Sequence, residues 1–136
     1  MRYLLGLFML LTASMSNAEL AVVAGQGFPL STLSKHEVAD IFLAKTTHLA
    51  DGLHVKPFEL NNAGYKALFY REISGKTLSQ INSYWTTLIF TGKGKPPKNI
   101  EEPSRLIELL NNDPSSIAYL PTEKITNSMK VLHVFH

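Results

Sequence analysis

Two stretches of this chain place hydrogen-bond donors where a helix would begin. Ser31, Thr32 and Ser34 follow the glycine-rich break Gly25-Gln26-Gly27, and Asn61-Asn62 follow a strand-like run. The first backbone N–H groups of a helix have no intrahelical acceptor. With a nearby hydroxyl or amide they hold a phosphate-sized oxyanion without much full charge. The same residues also serve as ordinary helix caps, and the residues alone leave both uses open. A third stretch, Gly92-Lys93-Gly94-Lys95 with Lys98, invites a phosphate-loop reading. It lacks the Walker spacing and its Ser or Thr, and it follows a helix instead of a strand. Lysines past a helix C-terminus complement the helix dipole. The functional use open to Lys93, Lys95 and Lys98 is contact with an anion or a protein partner.

Catalytic and metal chemistry find little footing. The chain has no Cys and no G-x-S-x-G nucleophile turn. Its five histidines are His36, His48, His54, His133 and His136. None forms H-E-x-x-H or an i, i+4 helical pair around a carboxylate. The reading is therefore a non-enzyme, with no catalytic residue, no metal and no cofactor.

The elements that must position these groups follow from periodicity. Gly75 to Pro97 is the central stretch. Thr77 and Gln80 form a capping box, and Leu78, Ile81, Trp85, Leu88 and Ile89 recur at helical steps, widened by Tyr84 and Phe90. Gly92 is the expected stop, and Pro96-Pro97 force an extended path. Upstream, Ala21–Ala24 reads as a buried strand. Ser34 and Glu37 open a helix over 35–44 with Val38, Ile41 and Phe42 inward. His54–Leu60 reads as a strand, and Asn61 or Asn62 caps a helix over 63–73 with Leu68, Phe69 and Ile73 inward. Downstream, 103–110 is a short helix, 117–120 a strand, and Val131–Phe135 a strand of period two. The order β-α-β-α-α-α-β-β implies an α/β layered domain with a partly parallel sheet. In such sheets ligands sit at the carboxyl ends of strands, against helix N-termini.

Residues 1–18 are expected to be a secretory signal peptide. Arg2 supplies the positive start, Tyr3–Leu11 the short apolar core, and Ser16-Asn17-Ala18 the small-x-small cleavage pattern. This leaves 19–136 as one exported domain, stable through packing without disulfides. With Arg2 set aside, 12 basic residues face 11 acidic ones. Such a near-neutral, mixed balance argues against a nucleic-acid surface or a broad anionic-membrane face.

Three motifs together resemble a known family. They are VVAGQGFPLSTLSKHEVADIFLAK, SYWTTLIFTGKGKPP and SSIAYLP. The chain is similar over nearly its whole exported length to short periplasmic proteins related to phosphate ABC transporter substrate-binding proteins. Leu33-Ser34, Glu37 and Ile41–Lys45 match the family's first helix, with Ala44 in place of Gly. Tyr84-Trp85 and Ile89–Pro97 match its central motif. Ile117–Leu120 matches the closing strand, again with Ala for Gly. The resemblance implies a type 2 periplasmic-binding-protein fold of about one lobe, with a mixed, mostly parallel sheet flanked by helices.

It also implies an anion site at the start of the second helix, where the family's phosphate binders carry Arg-x-Asp-Gly-Ser-Gly-Thr. Here that stretch is Glu59-Leu60-Asn61-Asn62-Ala63-Gly64-Tyr65, and only Gly64 survives. Glu59 stands where the phosphate-facing Arg would be, and its charge would repel a dianion. Lys66 matches the basic residue that short relatives place one turn into this helix.

Two functions follow. The first is a periplasmic solute-binding-like protein for an ABC-type uptake system, holding phosphate or another small oxyanion at Ser31, Thr32, Asn61, Asn62, Gly64 and Lys66. The second is a ligand-free interaction module of the same fold, contacting an envelope protein or the transporter's membrane component through Lys93, Lys95 and Lys98. One lobe supplies half a cleft, so closure within one chain is not available.

Overall fold

Leu20–Gly25 (β1) is small and apolar on both sides. Leu20, Val22 and Ala24 pack into one hydrophobic cluster, and Ala21 and Val23 into another. This period-two split places β1 inside a sheet covered on both faces. The computed structural model describes residues 19–136, and the expected signal peptide lies outside the described residues. The further elements are α1 (Lys35–Phe42), β2 (Lys56–Leu60), α2 (Ala63–Ser74), α3 (Leu78–Phe90), β3 (Lys98–Ile100), α4 (Pro103–Asn112), β4 (Ser116–Pro121) and β5 (Met129–Phe135).

The five strands form one sheet in the order β3-β2-β4-β1-β5. β2 pairs in parallel with both β3 and β4, whereas β1 is antiparallel to β4 and β5. Side chains of α1, α2 and α3 fill the first cluster and those of α4 the second, giving helix–sheet–helix layers. The α/β, mixed-sheet, single-lobe expectation is met.

Helix boundaries follow the caps that the sequence advertises. Ser34–Glu37 and Thr77–Gln80 each form both bonds of a capping box. Asn62 caps α2, and Gly75 ends it in the left-handed region. Gly92, at φ 68°, follows α3. Ala44 adopts φ 56° without being glycine, just past α1. The left-handed region costs a residue with a Cβ about 1–2 kcal/mol, part of which glycine returns through its freer unfolded state. Ala44→Gly is therefore expected to gain about 0.5–1 kcal/mol in urea unfolding.

Four expectations are corrected. β3 is an extra strand, only three residues long, that periodicity could not reveal. Leu68 is 44% exposed, not inward, because α2 turns Phe69, Tyr70 and Ile73 to the core instead. Ile89 and Phe90 leave the α3 stripe, at 57% and 91% exposed. They lie one and two residues beyond Leu88, roughly 100° and 200° around the helix. Finally, β5 does not alternate cleanly, because the β1–β5 register shifts between Val22 and Val23, opposite Leu132.

At Gly25 the backbone of α4 presses against β1. A Cβ there would lie 2.0 Å from the Leu110 carbonyl oxygen and 2.8 Å from its carbon. Both are backbone atoms and cannot swing away. Gly25→Ala is expected to cost about 2–3 kcal/mol, read as a lower urea midpoint at unchanged m-value.

Candidate functional site

Phe58 and Leu60 of β2 point into the α4 side of the sheet. Strand alternation therefore turns Glu59 to the other face, beneath α2. There it is only 3% exposed. Tyr119 of β4 donates its hydroxyl to Glu59 Oε2 at 2.7 Å, and Tyr70 of α2 donates to the same oxygen at 3.1 Å. Lys66, one turn before Tyr70, brings its Nζ to 3.7 Å from Oε1. Three elements thus converge on one buried carboxylate.

Burial raises the Glu59 carboxyl above its ordinary range, while the Tyr119 hydroxyl, the Lys66 charge and the Tyr70 hydroxyl pull it part of the way back. The two tyrosines are pushed up by burial first and then by the Glu59 charge, so both remain donors. The consequence for stability has a definite sign. Above the ordinary value of 4.5, the unfolded chain releases the Glu59 proton while the native chain keeps it longer. The native state then holds more protons, so stability falls as pH rises from 4.5 to the raised native value, and this contribution is flat above it. Glu59→Gln is expected to remove that decline, leaving a shallower stability–pH curve measured by urea unfolding between pH 4 and 8.

The start of α2 lies next to this network. Asn62 accepts the Tyr65 N–H at 3.0 Å, the ordinary capping bond. Asn61 donates its amide to Glu101 at 3.0 and 3.3 Å. Gly64 lies tight against the cap, since a Cβ there would be 3.3 Å from Asn62 Oδ1. The N–H groups of Ala63 and Gly64, in the first helical turn, have no intrahelical acceptor. Around them stand two carboxylates, Glu59 and Glu101, and one ammonium, Lys66, already turned toward Glu59.

Ser31 and Thr32 sit elsewhere. The neighbouring Leu33 donates its N–H to Leu132 of β5 at 2.9 Å, and its carbonyl lies 3.1 Å from His133 Nδ1. β5 is three strands from β2, roughly 14 Å at ordinary strand spacing. The strand order causes the separation, since β4 and β1 lie between β2 and β5. Asn61, Asn62, Gly64 and Lys66 are brought together, and Ser31 and Thr32 are not brought to them.

Lys93, Lys95 and Lys98 are all exposed, and among the described residues none forms an ion pair. Their loop is anchored where Gly94 approaches Ala44 and Leu88, and where Pro97 is buried. Ile89 and Phe90 project just before it. The outer face of α3 carries a shallow depression lined by Ser79, Asn82, Ser83, Thr86 and Thr87. All five belong to one helix, so the depression has no second wall and lies away from the Glu59 network. Among the described residues, no group of three or more His, Asp or Glu side chains is placed to hold a metal ion, and no helix is long and apolar enough to cross a membrane.

Sequence reasoning missed Tyr70 and Tyr119. A signal was present: an acid between Phe58 and Leu60 on a strand needs buried partners, and Lys66 and Tyr70 recur at i, i+4 on the following helix.

No family model matches the chain, and no curated protein sequence does. Solved structures do. One from Clostridium perfringens, assigned as a phosphate ABC transporter substrate-binding protein with bound phosphate, aligns at TM-score 0.63 and 12% identity over 85% of this chain and 45% of its own. An ABC-type phosphate transport receptor from Vibrio cholerae aligns at TM-score 0.54 and 14% identity over 96% and 53%. PstS from Borrelia burgdorferi aligns at TM-score 0.59 and 14% identity over 85% and 47%. The chain spans about half the length of each. Its fold is therefore that of one lobe of the phosphate ABC transporter substrate-binding proteins.

Proposed function

We propose that this chain is an exported, solute-binding-like lobe of the type that serves phosphate ABC transporters, and that it acts by contacting an envelope partner, not by capturing free phosphate alone. The observation carrying this reading is the Glu59–Lys66 pair. The one cation in the first turns of α2 already has a counter-ion from its own chain, buried and held by two tyrosines. A dianion arriving there would meet Glu59 and Glu101 and would have to unpair Lys66. The contact surface we assign is Phe90 and Ile89 with Lys93, Lys95 and Lys98. Apolar projections followed along the chain by unpaired cations fit an apolar patch with an acidic rim on a partner such as the transporter's membrane component. The expected signal peptide supports a periplasmic location, and the likeness to substrate-binding structures supports a non-enzyme.

Phe90→Ser is expected to change stability by less than about 0.5 kcal/mol, since the ring is 91% exposed. It is expected to lower capture of a purified transporter membrane component at least tenfold. Equal capture by wild type and F90S removes this surface from the proposal.

A second reading, binding of phosphate or another small oxyanion, is favoured by the amides of Ala63 and Gly64 beside Asn61, Asn62 and Lys66. Ser31 and Thr32 would belong to it only through a separate contact. Calorimetry with phosphate, and sulfate as control, decides between them. Saturable heat selective for phosphate and lost in Asn62→Ala and Lys66→Met establishes the anion reading. No heat at millimolar ligand, weaker than about −4 kcal/mol, favours the partner reading.

A further inference from the structure

The donors around Glu59 are arranged as a protein arranges them for a free anion. Two hydroxyls with no other recorded partner, Tyr70 and Tyr119, aim at one oxygen, and an ammonium faces the other. They come from α2 and β4, not from the strand that carries Glu59. Every buried side-chain nitrogen or oxygen among the described residues has a hydrogen-bond partner, so the arrangement is complete only with a carboxylate in place. Its surroundings are closed: Glu59 is 3% exposed, and Tyr70 and Tyr119 are each 1% exposed.

We propose that this cluster is an oxyanion site whose occupant is the chain's own Glu59 carboxylate, so that the lobe is self-liganded. Its chemistry is that of a small monocarboxylate binder. This inference rests on the reading that the lobe works without capturing a free anion, and gives that reading its cause. The tether removes the entropic cost of capturing a free ion, so a carboxylate on β2 outcompetes solution anions. Lys66 meanwhile stays turned toward Glu59. The groups facing Glu59 are Tyr70 and Lys66 from α2 and Tyr119 from β4. From β3 its paired residue is the non-titrating Asn99. Glu101, just past β3, is bonded to Asn61.

The test is chemical rescue. Glu59→Ala deletes the atoms of one acetate ion, a methylene carbon and its carboxylate. Thermal unfolding of Glu59→Ala is followed with sodium acetate or formate, against sodium chloride at equal ionic strength. Wild type and the double variant E59A/Y119F are run in parallel. We expect E59A to melt well below wild type. Acetate should raise its midpoint saturably by several degrees, as ligand linkage requires, while leaving wild type unmoved. The double variant should lose at least half of the rescue. A folded E59A that responds no differently to acetate than to chloride overturns the proposal.

If E59A does not fold at all, the wild-type arm decides. Acetate, phosphate or sulfate producing a saturable midpoint shift in wild type that Lys66→Met abolishes would show a free anion taking Lys66, and would overturn the proposal. No such shift supports it. Wild-type phosphate binding that survives Lys66→Met, together with acetate rescue of E59A, would support the self-liganded pocket while overturning the ligand-free reading of the chain.

Discussion

Phe69→Ala is expected to cost about 3–5 kcal/mol, a large share of the total stability of an ordinary domain, about 5–15 kcal/mol. Phe69 is fully buried where the helical layer meets the sheet. Its ring stacks on Tyr119 at 3.8 Å and 10°, and meets Phe42, Tyr70 and Phe135 edge-on at 4.8, 5.4 and 5.8 Å. The truncation would leave a cavity bounded by α1, α2, β4 and β5, elements that cannot all move inward together. The aromatic pairing geometry would be lost besides. Urea unfolding by tryptophan fluorescence reads the loss directly, since Trp85 is buried in the same cluster. Phe69→Leu, which refills most of the volume, should return more than half of it. A Phe69→Ala cost below about 1.5 kcal/mol would mean that the aromatic cluster is not the centre of the fold.

Lys66→Met is the second large effect, and it depends on pH. At pH 8 it leaves the Glu59 carboxylate buried without its counter-ion, a situation that costs about 3–5 kcal/mol in other proteins. Glu59 is already biased toward its protonated form by burial. Acidifying therefore allows it to take up a proton and discard the unpaired charge, and the deficit of K66M should shrink steadily as pH falls toward 5. The double variant E59Q/K66M should recover most of the loss at pH 8, because a neutral amide still accepts from Tyr70 and Tyr119. A K66M deficit that is the same at pH 5 and pH 8 would mean that Lys66 contributes by packing of its methylenes, not by charge.

Much of the fold could be read from local chemistry. The caps Ser34, Thr77 and Asn62 and the stops Gly75 and Gly92 each act within one turn of helix, so the residues that specify them are adjacent in the chain. What escaped was set by distant partners. β3 is three residues that become a strand only because β2 lies beside them. Leu68 and Phe90 look as apolar as their neighbours, and only the direction of the sheet and of α1 decides which side of each helix is dry. The candidate site divides the same way. Asn61, Asn62, Gly64 and Lys66 fall together because one strand-to-helix junction holds them. Ser31 and Thr32 were grouped with them because both stretches lead into helices, and the strand order that seats Leu33 beside β5 separates them. Glu59 was recognised as unfriendly to a dianion, and the i, i+4 spacing of Lys66 and Tyr70 hinted at one partner, but Tyr119 comes from 60 residues away, beyond the reach of any local pattern.

The reversed β1 also bears on when this chain can fold. Its first strand is bordered by its last two, with Leu20 opposite both Pro121 and Phe135. A ribosome releases a chain from its N-terminus, so β1 emerges before β4 and β5 and waits for both neighbours. Contacts that span almost the full chain slow the search for the native state. The topology therefore delays closure of the sheet until the last two strands can reach the first.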